Sequence, residues 1–188
     1  MTKIRDWSAG LYAAAVLMLA ACAQQPGAGA GNQLSIVHDP NHMIGGDRWV
    51  VLDLAGQSSK MAVIADSTHE IILAVSCDAG KSVDISLGSP GATHGLEDPS
   101  LILGFDADPP ADSGWHATNG KTDWGFGLLG DEPDFWPSIS SLKQHRQLTT
   151  LIREGDKDSM RFHFSLNGAD KAIDYVLGLC GKSAPKGT

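Results

Sequence analysis

Between Glu70 and Leu87 the side chains fall into two alternating sets, once on each side of a turn. Ile71, Leu73 and Val75 interleave with Ile72, Ala74 and Ser76; Val83, Ile85 and Leu87 interleave with Asp84 and Ser86. Period-2 patterning around Asp78-Ala79-Gly80-Lys81 predicts a β-hairpin. The same period recurs along the chain. Gln33–Val37, Arg48–Leu54, Met61–Ala65, Leu101–Phe105, Gly114–Asn119, Thr122–Leu129 and Gln147–Arg153 read as strands. Met160–Leu166 alternates strictly, with Met160, Phe162, Phe164 and Leu166 facing in and Arg161, His163 and Ser165 facing out. Gly- and Pro-dense segments separate them, notably 88–99 and 106–113.

The period changes twice. After Pro133 and Pro137, Ile139 and Leu142 fall on one side of a short helix, with Ser138 as its expected N-cap. From Ala169 to Leu179, Ala169, Ile173, Val176, Leu177 and then Cys180 share one face, and Asp170 suits the helix dipole. Many short strands with two short helices predict a mainly β fold, an antiparallel β-sandwich or curled sheet, with an α+β arrangement as the alternative.

The N-terminal pattern is of another kind. Lys3 and Arg5 precede the apolar run Leu11–Ala20, which falls short of the roughly 20 apolar residues that a spanning helix needs. A basic start, a short apolar run and small residues at its end read as a secretory leader over residues 1–21. Leu19-Ala20-Ala21-Cys22 resembles a bacterial lipobox. The resemblance implies that Cys22 is the lipidated first residue of the mature protein. Ala23 rather than Asp follows it, which points to the outer membrane rather than the inner one. Residues 22–32, rich in Gly, Ala, Pro and Gln, are expected to form a flexible tether. Residues 33–181 are then a single globular domain, and 182–188 a mobile tail. The expected location is the periplasmic face of the envelope.

Charge narrows the partners. The leader carries Lys3, Arg5 and Asp6, so its loss takes the formal net charge from −8 to −9. An acidic, aromatic-poor chain in that compartment excludes nucleic acid as a partner, and leaves membrane attachment to the acyl group. The expected partner is another envelope protein or a cell-wall component. With Cys22 modified, Cys77 and Cys180 remain, and in an oxidising compartment they form one disulfide. Closing a loop of about 100 residues contributes roughly 4–5 kcal/mol in the chain-entropy model, less any strain.

Candidate chemistry is sparse. His38 and His42, beside Asp39 and Asp47, have a helical ligand spacing, but Pro40 and Gly45-Gly46 exclude the helix. His69-Glu70 starts a zinc-protease pattern that lacks its second His. Asp106, Asp108 and Asp112 are oxygen ligands suited to calcium, yet prolines interrupt them and no EF-hand spacing follows. Ser89 in Gly88-Ser89-Pro90-Gly91 comes nearest to a nucleophile turn, and Pro90 spoils it. No catalytic residue, metal or cofactor is therefore expected. Trp115, Trp124 and Trp136 cluster in sequence with Phe126 and Phe135. They form either a binding face for protein or sugars, or the core of a small β domain.

Several landmarks recur in one order: Trp49, a strand ending in Cys77, Leu103-Gly104-Phe105-Asp106, Trp115 with Thr118, and Phe162–Cys180 (FHFSLNGADKAIDYVLGLC). This order over residues 47–181 resembles small envelope proteins associated with type VI secretion, the VasI/TagO type. The resemblance implies a non-catalytic accessory role and a structural role for Cys77 and Cys180. The lipobox, GWHATN and the Pro-rich segment 106–113 depart from that pattern. AVSCDAGKSVDISL also resembles the strand-turn-strand of membrane-bound lysozyme inhibitors, although its Tyr is missing.

Overall fold

In the computed structural model the alternating segment around Cys77 forms an antiparallel pair. Residues 35–37, 48–53, 58–78, 82–89, 96, 98–119, 124–155 and 157–182 are described. The leader, Cys22, the tether, His38 and His42 lie outside the described residues, as does the tail from 183 onward.

Eleven strands and two helices follow in order among those residues. The strands are β1 (Ser35–Val37), β2 (Val50–Leu52), β3 (Ser59–Ala65), β4 (Ile72–Asp78), β5 (Val83–Ser89) and β6 (Pro99–Phe105). They continue with β7 (Ala111–Asp112), β8 (His116–Asn119), β9 (Trp124–Leu129), β10 (Gln147–Glu154) and β11 (Lys157–Ser165). Helix α1 (Phe135–Gln144) lies between β9 and β10, and α2 (Ala169–Leu179) follows β11. The strands form two sheets. One is seven-stranded, ordered β1-β2-β3-β4-β5-β9-β8; the other is four-stranded, ordered β11-β10-β6-β7. All pairings are antiparallel except β1 with β2, which is parallel. Neither sheet closes on itself, so the expected sandwich or curled sheet with two short helices is the architecture observed.

One core lies between the sheets. Ala62 and Ile64 of β3, Leu73, Val75 and Cys77 of β4, and Val83, Ile85 and Leu87 of β5 enter it from the large sheet. Leu101 and Leu103 of β6, Leu148 and Ile152 of β10, and Phe162 and Phe164 of β11 enter it from the small one. The pleat sends alternate residues to opposite faces, so these sets are the i, i+2 positions that the alternation predicts. Trp49 joins the two sheets: its indole Nε1–H donates to the Ser165 carbonyl at 3.2 Å.

The helices close the core. In α2, Ala169, Ala172, Ile173, Val176 and Leu177 are buried, at the i, i+3, i+4 spacing of one helix face. That face packs over β2, β3 and β4. In α1 the buried residues are Phe135, Ile139 and Leu142. Here the expected start is corrected. The helix begins at Phe135, with Asp134 as an N-cap that makes no side-chain cap bond, and Ser138 lies inside it. Pro137 is tolerated because the N–H groups of a first turn have no intrahelical acceptor.

Two further corrections concern the loops. The segment Asp106–Ser113, read as a loop throughout, contains β7, which pairs Ala111 and Asp112 with Leu103 and Ile102. The strand read over Gly114–Asn119 starts at His116, because Gly114 takes φ +67° and turns the chain before it.

Candidate functional site

The sequence-predicted residues fall into three places, and the first is a clasp. Cys77 sits on the core face of β4 at 1% exposure, and Cys180 is the C-cap of α2. The two are joined as a disulfide, with Cα atoms 6.2 Å apart. Local chemistry brings Cys180 there. Gly181 takes φ +64°, its N–H donates to Gly178 O, and the Lys182 N–H reaches back to Leu177 O at 2.9 Å. This is the Schellman closure, which needs a left-handed residue just past the cap. The helix therefore stops with the thiol side of its last turn on β4.

The tryptophans are not one face. Trp115 is 7% exposed and belongs to the core, its Nε1–H donating to Ser138 Oγ at 3.3 Å. That contact gives the hydroxyl read as a cap its real partner. A binding face through Trp115 is therefore corrected to a core position: the ring is buried and its polar edge is already satisfied. Trp136 is half-buried and packs edge-on against Phe135, ring centroids 5.1 Å apart. Trp124 opens β9, and its side chain lies outside the described residues. Beside this corner, His116 Nε2 stands 3.2 Å from Glu132 Oε1, while Glu132 Oε2 accepts the Leu129 N–H.

The third group is carboxylates, and most of these are structural. Asp66 is 1% exposed and accepts four hydrogen bonds, from Thr68 N–H, Thr68 Oγ1–H, Glu70 N–H and Ile71 N–H at 2.7–3.0 Å. Burial pushes its carboxyl up, but the hydrogen bonds together outweigh that and hold it below the usual range. They also brace the turn in which His69 takes φ +64°. Asp106 accepts the Arg146 and Gln147 N–H groups on one oxygen and lies 3.0 Å from His145 Nδ1 on the other. The Arg146 N–H, then His145, hold its carboxyl below the usual range. Asp112 accepts the Gly114 N–H. Asp106 thus has one oxygen on the backbone and the other on His145, Asp112 has one oxygen on the backbone, and among the described residues no three His, Cys, Asp or Glu gather as metal ligands. Asp84, opposite Ser76 on the other side of the central hairpin, is pushed up by burial, with the Ser76 hydroxyl bond opposing.

A surface that the alternation disclosed without a role completes the picture. On the small sheet, the face turned from the core carries Thr149, Leu151 and Arg153 of β10 beside Arg161 and His163 of β11. Arg153, Arg161 and His163 are exposed, while Leu151 and its neighbour Ile102 are only 6% and 7% exposed. His163 Nδ1 lies 3.1 Å from Thr149 Oγ1. The described charged residues of this face are Arg153 and Arg161, with Asp112 of β7 in the row of Ile102 and Leu151. An exposed guanidinium such as that of Arg161 can bind an anionic group by ionic hydrogen bonds.

Among the described residues no helix is long and apolar enough to cross a membrane. No protein-family model matches the chain, and no curated protein is significantly similar to it.

Proposed function

We propose that this chain is a lipid-anchored binding or accessory protein on the periplasmic face of a bacterial envelope, non-catalytic, and attached through Cys22 to the outer membrane. Its partner is another envelope protein or a cell-wall component. The observation that supports this most is the Cys77–Cys180 disulfide, which clasps a helix end to a core strand. Bonds of this kind persist where the compartment is oxidising. The lipobox-like Leu19–Cys22 and the Gly-rich tether after it agree with the same side of the membrane. Within the domain, Asp66, Asp106 and Asp112 hold turns and loops through hydrogen bonds, and the exposed chemistry is that of a docking surface. The ordered landmarks from Trp49 to Cys180 link that role to type VI secretion.

Metabolic labelling with palmitate, followed by membrane fractionation, tests the anchor. The native chain should take label and sediment with outer membranes, and Cys22→Ala should do neither. Cross-linking in intact cells tests the role. Specific envelope partners support the reading; inhibition of lysozyme at stoichiometric amounts in a turbidity assay transfers it to a cell-wall hydrolase inhibitor, the function of the family that AVSCDAGKSVDISL resembles.

A further inference from the structure

Strand β11 is the outer edge of the four-stranded sheet. Its backbone direction is fixed by its ends. The Leu166 N–H donates to Arg146 O, towards β10. Residues an even step from 166, Met160, Phe162 and Phe164, therefore turn their backbone groups to β10, and Arg161, His163 and Ser165 turn theirs away. The Ser165 carbonyl confirms this: it accepts the Trp49 indole rather than a strand. The N–H and C=O groups of Arg161 and His163 have no hydrogen-bond partner among the described residues. Unpaired groups of this kind are a template for one more strand.

The side chains of the same two residues select what can pair. Arg161 and His163 are exposed, stand on the face turned from the core and, two residues apart on a strand, are about 7 Å from each other. The Thr149 contact occupies His163 Nδ1 and leaves Nε2 for a partner. Pairing with a second copy centred on this stretch would bring Arg161 of one chain close to Arg161 of the other, which opposes self-association. A strand with carboxylates at every second position has the matching period and charge. Its other residues would continue the row of Phe162 and Phe164, which are buried.

We infer that the β11 edge receives an extended acidic segment of a partner protein as a fifth strand, with Asp or Glu at alternate positions opposite Arg161 and His163 and apolar residues between them. This rests on the binding role proposed above and names its surface.

The test uses the full chain and a labelled eight-residue peptide of alternating Glu and Val, followed by fluorescence polarisation at low salt. The peptide should bind, and Arg161→Glu should weaken it at least about tenfold, since a cross-strand attraction becomes a repulsion. Methylating alternate backbone amides of the peptide should abolish binding in one of the two registers and spare the other. That readout is independent of any variant's folding; an unchanged thermal melt checks Arg161→Glu itself. Equal binding of a peptide with its glutamates in one block, or unchanged binding by Arg161→Glu, would overturn the inference. So would a wild-type dimer that the Glu-Val peptide dissolves, which would assign the edge to a second copy. Cross-linking in cells separates the two levels. If wild type and Arg161→Glu capture the same partner equally, the edge is wrong and the binding role stands; if neither captures any, the binding role itself falls.

Discussion

Strands β4 and β11, one from each sheet, use one pleat to different ends. In β4 the run Leu73–Cys77 is buried on both sides. Leu73, Val75 and Cys77 enter the main core, while Ala74 joins Val50, Leu52 and Val63 in a second cluster on the opposite face. In β11 burial alternates instead, with Phe162 and Phe164 inside and Arg161 and His163 exposed. A strand buried on both faces reads as continuous apolar sequence, and one buried on a single face reads as alternation. Strand β4 is thus covered on both faces and tied to α2 by the disulfide, while β11 keeps an exposed outer face and, at Arg161 and His163, an edge unpaired among the described residues. The contrast is one of strands rather than sheets: β6 and β10 are buried on both faces over part of their length, and β5 alternates.

Changes at the large sheet should cost most. Replacing Cys77 and Cys180 together by Ala should lower stability by about 2–5 kcal/mol, read as a fall in the urea midpoint that reducing agent reproduces in the wild type. A loss well below that would mean that α2 holds to β4 by packing alone. Asp66→Ala comes next. It strands the part-buried N–H of Glu70 and the buried N–H of Ile71 and should cost about 2–3 kcal/mol in the same assay. Its pH dependence has a definite sign. The carboxyl titrates lower in the folded chain than its unfolded value of about 3.9, so its contribution is complete above that value and disappears as pH falls through the folded one. Asp66→Asn should therefore narrow its deficit in acid.

Asp84 should behave oppositely. Burial raises its folded value, so the ionised form weighs against folding as pH rises from about 4 through that value. Asp84→Asn should raise the melting temperature at pH 7 and leave it unchanged at pH 3; a lower melting temperature at pH 7 would show that the carboxylate is needed on this face. The smallest effects test the two sides of β10. Thr150 Oγ1 is buried without a hydrogen-bond partner among the described residues, so Thr150→Val should be neutral or stabilise by up to about 1 kcal/mol. Thr149→Val, on the outer face, should change stability by less than about 0.5 kcal/mol. A large loss at Thr149 would turn the outer face from an interface into part of the fold.

Legibility in the sequence followed the same division. Strands β5 and β11 were readable because a polar or solvent-facing residue marked every second position, and β4 as the apolar run that leads into the turn at 78–81. The buried face of α2 was readable from Ala169, Ile173, Val176 and Leu177, and Cys180 then fell at its end. Strand β7 was not readable: two exposed residues behind Pro109-Pro110 carry no pattern, and only their pairing with β6 makes them a strand. The start of α1 was misplaced because the strongest capping residue, Ser138, is taken by the Trp115 indole, while the true cap uses no side chain. Trp115 could not be placed at all, since whether an aromatic is covered depends on a helix that follows it by twenty residues. The outward Arg161 and His163 were legible as outward, but an unpaired edge is a property of the sheet order and no local pattern carries it.

As a mechanical element, the bond between Cys77 and Cys180 divides the chain into a part that tension can lengthen and a part that it cannot. The two cysteines are 103 positions apart, so about 35 nm of contour is hidden from a pull between the chain ends while the bond is intact. Tension bypasses β5 to α2 and enters the large sheet at Cys77. From the N-terminal side, tension enters the same sheet at its edge strand β1 and reaches β3 only through β2. Both points of load are therefore on the large sheet, at β1 and at Cys77 of β4. The chain that tension can draw out is β1 to β3, and the four-stranded sheet, which lies wholly between the two cysteines, is shielded by the covalent bond.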